Sequence, residues 1–321
     1  MPLVDSNYKP PFYLKNPHLA TIIPSSFRKI KGVVYQRERI ETSDNDFLDL
    51  DWLKKGRQKL VIISHGLEGS TGRPYVQGMA KYLYQNGWDV LAWNCRSCSG
   101  EMNKTARFYH HGATEDLSEV IEYAVNQYGY NNIALIGFSM GGSLSLKYAG
   151  EKGNEIPNEV MASIAFSVPV DLASSVEKLA EKQNDFYRKR FLRKLEEKIK
   201  IKAESFPELI KYQGFDHIKY FPDFDNIYTA PLHGFKNAED FYHKASANEY
   251  VYNTTIPVLI VNAVNDPFLG DKCYPYKEAD ASDKVYLETP HHGGHVGFSL
   301  AGSEFNYMEK RALEFLNEQG L

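Results

Sequence analysis

Ile133-Ala134-Leu135-Ile136-Gly137-Phe138-Ser139-Met140-Gly141-Gly142 carries four apolar residues straight into a Gly-x-Ser-x-Gly. A short apolar run of this kind reads as a buried strand. A helical pattern follows over Ser143 to Ala149. Strand, tight turn and helix in that order make a nucleophile elbow. The flanking Gly137 and Gly141 let the chain turn without a Cβ clash, and the turn lifts the Ser139 hydroxyl clear of the sheet. A Gly-rich turn with a capping serine is the bland alternative, and the rest of the chain weighs against it.

Working outward, apolar runs alternate with helical patterns. Residues Gly32 to Ile40 and Phe47 to Trp52 read as a hairpin turning at Ser43-Asp44-Asn45-Asp46. Further strands are expected at Leu60–Ile63, Asp89–Trp93, Ile133–Ile136, Met161–Val168, Val258–Asn262 and Val285–Leu287. Helical spacing appears over Pro74–Asn86, Leu117–Tyr128 and Phe305–Phe315. This alternation implies an α/β fold with a mostly parallel, eight-stranded sheet covered on both faces. It stops between Leu172 and Tyr250. There, Val176 to Ile199 reads as one long amphipathic helix or a broken pair, and an aromatic-rich stretch follows. Lying between two strands of one sheet, residues 172–250 read as an inserted helical lid on a core made of residues 1–171 and 251–321.

A serine hydroxyl needs a base within hydrogen-bond reach, and the base needs a group that fixes its tautomer. After such an elbow the order is serine, acid, histidine. Asp266 follows the strand Val258–Asn262, and His295 follows Val285–Leu287 in a Gly-rich loop. Asp271 is the runner-up acid, and His291 and His292 compete with His295. Two N–H donors must meet the developing oxyanion. Met140 supplies one. Leu67 supplies the other, from the loop Ser64-His65-Gly66-Leu67-Glu68-Gly69-Ser70. His65 reads as an organiser of that loop, and Gly66 as a supporting residue. This chemistry calls for no metal or cofactor.

Bulk properties exclude other classes. The 321 residues are 43% hydrophobic and 24% charged, as in an ordinary globule, and the net charge of -4 argues against nucleic-acid binding. No apolar stretch approaches the ~18 residues of a transmembrane span. The first fifteen residues hold Pro10 and Pro11 instead of an apolar secretory core. Three cysteines suit a reducing compartment, so the expected location is cytoplasmic. Cys95-Arg96-Ser97-Cys98 reads as two loop thiols, because too few further ligands exist for a zinc site. Glu177 to Glu204 holds ten basic and six acidic residues. A solvated face is the ordinary reading of such an excess, and peripheral contact with anionic headgroups is the other.

With these residues placed, the chain resembles the α/β-hydrolases. More narrowly, it is similar to the bacterial YheT-like esterases and their animal phospholipase-like relatives. The resemblance rests on Asn16-Pro17-His18 with Thr21-Ile22-Ile23-Pro24, His65 to Ser70, Arg96-Ser97-Cys98-Ser99-Gly100-Glu101, Tyr109-His110-His111-Gly112, the elbow, and Gly293 to Phe298. Asn265 departs from the pattern, where a second aspartate is expected in many relatives. The resemblance implies hydrolysis of carboxylic esters with short to medium acyl chains, lipid or phospholipid esters among them, through an acyl-serine. An acyltransferase with the same triad and a non-catalytic binding protein are the competing readings. The lid is expected to set acyl specificity, with Tyr187 and Phe191 as leading candidates beside Phe186, Phe206 and Phe235.

Overall fold

The computed structural model describes residues 3–321. Its strands are β1 (Leu3–Val4), β2 (Gln36–Glu41), β3 (Phe47–Leu53), β4 (Lys59–Ser64), β5 (Asp89–Asn94), β6 (Asn132–Phe138), β7 (Val160–Phe166), β8 (Val258–Val261) and β9 (Val285–Glu288). They form one sheet in the order β1-β9-β8-β7-β6-β4-β5-β3-β2. Only β2 with β3 and β3 with β5 pair antiparallel. The eight expected strands are present. The ninth, β1, is a two-residue edge strand parallel to β9, too short to leave a periodic signal. The first strand of the hairpin begins at Gln36, later than the expected Gly32.

Side-chain alternation explains why both faces are covered. Leu60 and Ile62 of β4 enter one core with Leu91, Leu117, Val120 and Leu135. Val61 and Ile63 point the other way, into a second core with Val90, Met79, Leu83 and Phe315. Helices α1 (Pro17–Phe27), α2 (Pro74–Gln85), α3 (Thr114–Tyr128) and α4 (Met140–Lys152) precede the insertion, and a closing helix spans Tyr307–Glu318. Helix α1 starts with an Asn16 side chain that accepts the His18 and Leu19 N–H groups, and with Pro17 in the first turn.

Between β7 and β8 the chain leaves the sheet. Helix α5 (Leu172–Ala180) is separated from α6 (Asp185–Ser205) by a short turn at Lys182–Asn184, so the long amphipathic pattern is a broken pair. The buried stripe of α6, Tyr187, Leu192 and Ile199, packs with Phe215, Phe221, Phe224 and Tyr228 into a third apolar cluster that also takes in Phe268. No helix among the described residues is long and apolar enough to cross a membrane.

Candidate active site

The strand ends that parallel topology brings together place three side chains in a row. Ser139 follows β6, Asp266 lies beyond β8, and His295 lies beyond β9. His295 Nε2 is 2.9 Å from Ser139 Oγ, and its Nδ1 is 2.9 and 3.1 Å from the two Asp266 carboxylate oxygens. The Asp266 side chain is fully buried, and that of His295 is 9% exposed. An acid on Nδ1 leaves Nε2 as the lone-pair nitrogen facing the hydroxyl, the arrangement that can take up a hydroxyl proton. Asp271 is exposed and makes no hydrogen bond to a histidine among the described residues. His291 is exposed, and the His292 ring reaches only Asn265, at 3.4 Å.

Ser139 sits at φ 53°, ψ −120°, a left-handed conformation that a non-glycine residue holds only under strain. The turn needs both glycines. A Cβ on Gly137 would fall 2.1 Å from Gly141 O, and one on Gly141 would fall 2.2 Å from Ser64 O. Helix α4 begins at Met140, directly after the serine and three residues earlier than the spacing suggested.

The loops that hold the acid and the histidine brace one another. Asn265, where a second aspartate was expected, accepts the Gly294 N–H at 3.1 Å and donates to Lys15 O at 3.1 Å, so it joins three segments. Thr21 of α1 accepts the His295 N–H at 2.9 Å and donates its own hydroxyl to Pro17 O at 2.7 Å. Gly294 sits at φ 59°, and a Cβ there would be 2.8 Å from Ala20 Cβ, Pro17 O and Thr21 Oγ1. Phe268 stacks on the His295 ring with centroids 4.0 Å apart, and its N–H bonds Asp266 Oδ1 at 2.9 Å. Sequence reasoning missed Thr21, Asn265 and Phe268. The Thr21 segment and the Asn-Asp pair were both visible as motifs, but neither showed what it touches.

The loop after β4 approaches the serine closely, since a Cβ on Gly66 would lie 3.2 Å from Ser139 Cβ. The N–H groups of Leu67 and Met140 find no acceptor among the described residues. His65 is fully buried and forms no hydrogen bond to Ser139 or His295 among the described residues. Its Nε2 accepts the Cys95 N–H at 3.1 Å while Nδ1 donates to Gly66 O at 2.8 Å, so it organises the loop. Glu68, at φ 52°, is held from three sides. Its carboxylate takes Lys198 Nζ at 2.8 Å and the Tyr109 hydroxyl at 2.6 Å, and its carbonyl takes Lys194 Nζ at 3.0 Å. Both lysines belong to α6, so the insertion is fastened to this loop.

Above Ser139 opens a cavity walled by apolar side chains such as Leu67, Leu179, Phe191, Leu195 and Phe221. Its wall also carries His110, His233, Asp225 and Tyr242. Burial depresses His233 to about 3 and His111 to about 4, and holds His110 well below the ordinary histidine value. Burial pushes the Asp225 carboxyl up to about 6, although it accepts hydroxyls from Tyr242 and Thr229 at 2.6 Å each. Of the candidate aromatics, Phe191 lines both this cavity and a second recess that also reaches Ser139, Tyr187 lines the second recess, and Phe186 is exposed.

Two further motifs are structural. Arg96 is buried and bonds Asp44, Asp46 and Asp116, which ties the hairpin turn to α3. All three cysteines are free thiols; Cys95 and Cys273 are buried.

Residues 59–184 match the α/β-hydrolase fold family. The YheT protein of Escherichia coli (strain K12), whose name assigns it provisionally to the esterases, is 31% identical over 289 residues, which is 88% of this chain and 84% of that protein. Phospholipase ABHD3 of Mus musculus is 27% identical over 98% of this chain and 79% of its own length. Among solved structures, the Pyrococcus furiosus esterase Pf2001 superposes with a TM-score of 0.59 at 18% identity, covering 91% of this chain and 96% of that one. Together with the nine-stranded, mostly parallel sheet, these matches mean that the chain belongs to the α/β-hydrolase superfamily, within the subfamily of YheT-like esterases.

Proposed function

We propose that this hydrolase cleaves carboxylic esters through an acyl-serine, with Ser139 as nucleophile, His295 as general base and acid, and Asp266 as the group that orients the imidazole. One observation carries the reading: the unbroken relay from Ser139 Oγ through His295 to the buried Asp266, set at the floor of an apolar cavity. Ser139 Oγ attacks the ester carbonyl as its proton passes to His295 Nε2. The Leu67 and Met140 N–H groups receive the charge on the carbonyl oxygen. The tetrahedral intermediate collapses, and His295 returns the proton to the leaving alcohol. Water then enters by the same route and releases the acid.

Residues 172–250 act as the lid, and the acyl chain lies in the cavity that they cover. Burying alkyl surface there is worth roughly 25 cal/mol per Å², which supports short to medium acyl chains over acetate. The esterase and phospholipase names of the relatives support an ester substrate, and the free thiols support a cytoplasmic setting.

The test is a p-nitrophenyl ester series of rising chain length, run with Ser139→Ala. Turnover should rise with chain length, and the variant should lose on the order of 10⁴-fold or more. Fluorophosphonate should label the parent and spare the variant. A folded Ser139→Ala protein that keeps its activity overturns the assignment.

A further inference from the structure

Two recesses meet at Ser139 and His295; both are walled mainly by apolar side chains, but the second also carries three cationic ones. The apolar cavity suits an acyl chain. The second recess is lined by Arg73, Arg190 and Lys194 as well as by Glu68, Ile22 and Phe268. Arg73 immediately precedes α2, while Arg190 and Lys194 lie one turn apart on α6.

These cations lack carboxylate partners. Neither Arg73 nor Arg190 forms an ion pair among the described residues. Among the described residues the Lys194 ammonium hydrogen-bonds the Glu68 carbonyl and no carboxylate. The Glu68 carboxylate is already taken by Lys198 and Tyr109. Burial lowers the Lys194 ammonium below the ordinary lysine value; the nearby Glu68 charge opposes this, and Arg73, Arg190 and Lys198 add to it. Like charges one helical turn apart cost free energy. A cluster of three beside a nucleophile is the arrangement that recognises a multiply charged oxyanion, for which arginine supplies a two-pronged donor set.

An ester bound with its acyl chain in the apolar cavity sends its alcohol into this recess. Resting on the esterase reading above, we propose that the second recess is a leaving-group subsite for a phosphate monoester, so that the preferred substrates are acyl esters of phosphorylated alcohols. The phosphate keeps its charge throughout. The acyl C–O bond breaks, the Ser139–acyl bond forms, and His295 protonates the departing alkoxide. A quaternary ammonium would meet three cations and no free carboxylate there, so the site favours a bare phosphate over a choline-capped one.

The experiment compares kcat/KM for 1-octanoylglycerol 3-phosphate, 1-octanoylglycerol and the matching phosphocholine ester, all below their micelle concentrations. p-Nitrophenyl octanoate serves as the independent measure of serine chemistry. The phosphomonoester should lead the neutral ester by at least about tenfold at low salt, and 0.5 M salt should erode that lead, as for any partly exposed charge contact. Glycerol 3-phosphate should compete against p-nitrophenyl octanoate better than inorganic phosphate does. The double substitution Arg73→Gln, Arg190→Gln should bring the ratio of phosphorylated to neutral ester close to one. That ratio is internal to each protein, so losses in folding cancel. Equal use of the phosphorylated and neutral esters by the parent overturns the subsite. So does a ratio unmoved by the double substitution, a phosphocholine ester used as well as the monoester, or a lead that appears only above the micelle concentration. Failure on p-nitrophenyl octanoate as well would instead sink the esterase reading.

Discussion

Replacing Thr21 with valine keeps the branched shape and removes one hydroxyl. That hydroxyl donates to Pro17 O and accepts the His295 N–H, at 2.7 and 2.9 Å. Thr21 is 7% exposed, so water cannot readily take its place. Leaving the His295 amide without an acceptor costs about 1–3 kcal/mol. The stability loss should appear as a lower urea midpoint with an unchanged slope. The same bond fixes the loop that carries the imidazole. A drift of about 1 Å in a reacting group costs on the order of 100-fold in rate, so kcat/KM on p-nitrophenyl octanoate should fall by 10- to 100-fold. Thr21→Ser keeps the hydroxyl and should restore most of both. A Thr21→Val protein within about 0.5 kcal/mol of the parent and equally active would refute the reasoning.

Gly141→Ala should fail to give folded protein at 37 °C, because its Cβ would press on the Ser64 carbonyl at 2.2 Å; recovery of soluble, active enzyme would contradict the elbow packing. Phe191→Ala should move the acyl-length optimum by more than it changes acetyl-ester turnover, with roughly 1–3 kcal/mol at stake per methylene; an unchanged chain-length profile would take specificity away from this wall. Acidification should destabilise the fold. His111 and His233 have folded values depressed to about 4 and about 3. The unfolded chain therefore binds more protons below the ordinary histidine value near 6.5, and stability is lost as pH falls from there toward 4. Asp225, raised to about 6, acts in the opposite direction between about pH 4 and 6. Urea midpoints from pH 7 to 4.5 should thus fall less steeply for His233→Gln than for the parent, and more steeply for Asp225→Asn; parallel curves would remove these groups from the account.

Eight strands and a mostly parallel sheet could be read from the sequence because apolar runs bounded by turn residues alternate with helical patterns. The serine was legible because the elbow is local: strand, turn and helix lie within ten residues. The acid and the histidine were harder, since their meeting depends on β8 adjoining β7 and β9 adjoining β8, which no local pattern states. Asn265 shows the limit most plainly. It looked like a departure at the acid, yet its amide fastens the Gly294 loop to Lys15. Thr21 and the Glu68–Lys198 pair were equally invisible in role, because each acts on a partner more than a hundred positions away. The break between α5 and α6 escaped a firm reading because Gln183 and Asn184 carry no strong helix-stop signal, and the apolar spacing continues across them.

The contact between Thr21 and His295 spans 274 positions, and it bears on how the molecule is born. At roughly 5–20 residues per second of synthesis, the helix carrying Thr21 waits on the order of tens of seconds before its partner leaves the ribosome. During that time its threonine and alanine face lacks the Gly294–Gly297 loop that covers it, and Arg28 likewise waits for Glu309. A fragment that ends before His295 therefore lacks the imidazole that the proposed mechanism requires. Ester cleavage should appear only once the loop carrying His295 has docked on α1, and a clipped product lacking α1 should be inert even with Ser139, Asp266 and His295 all present.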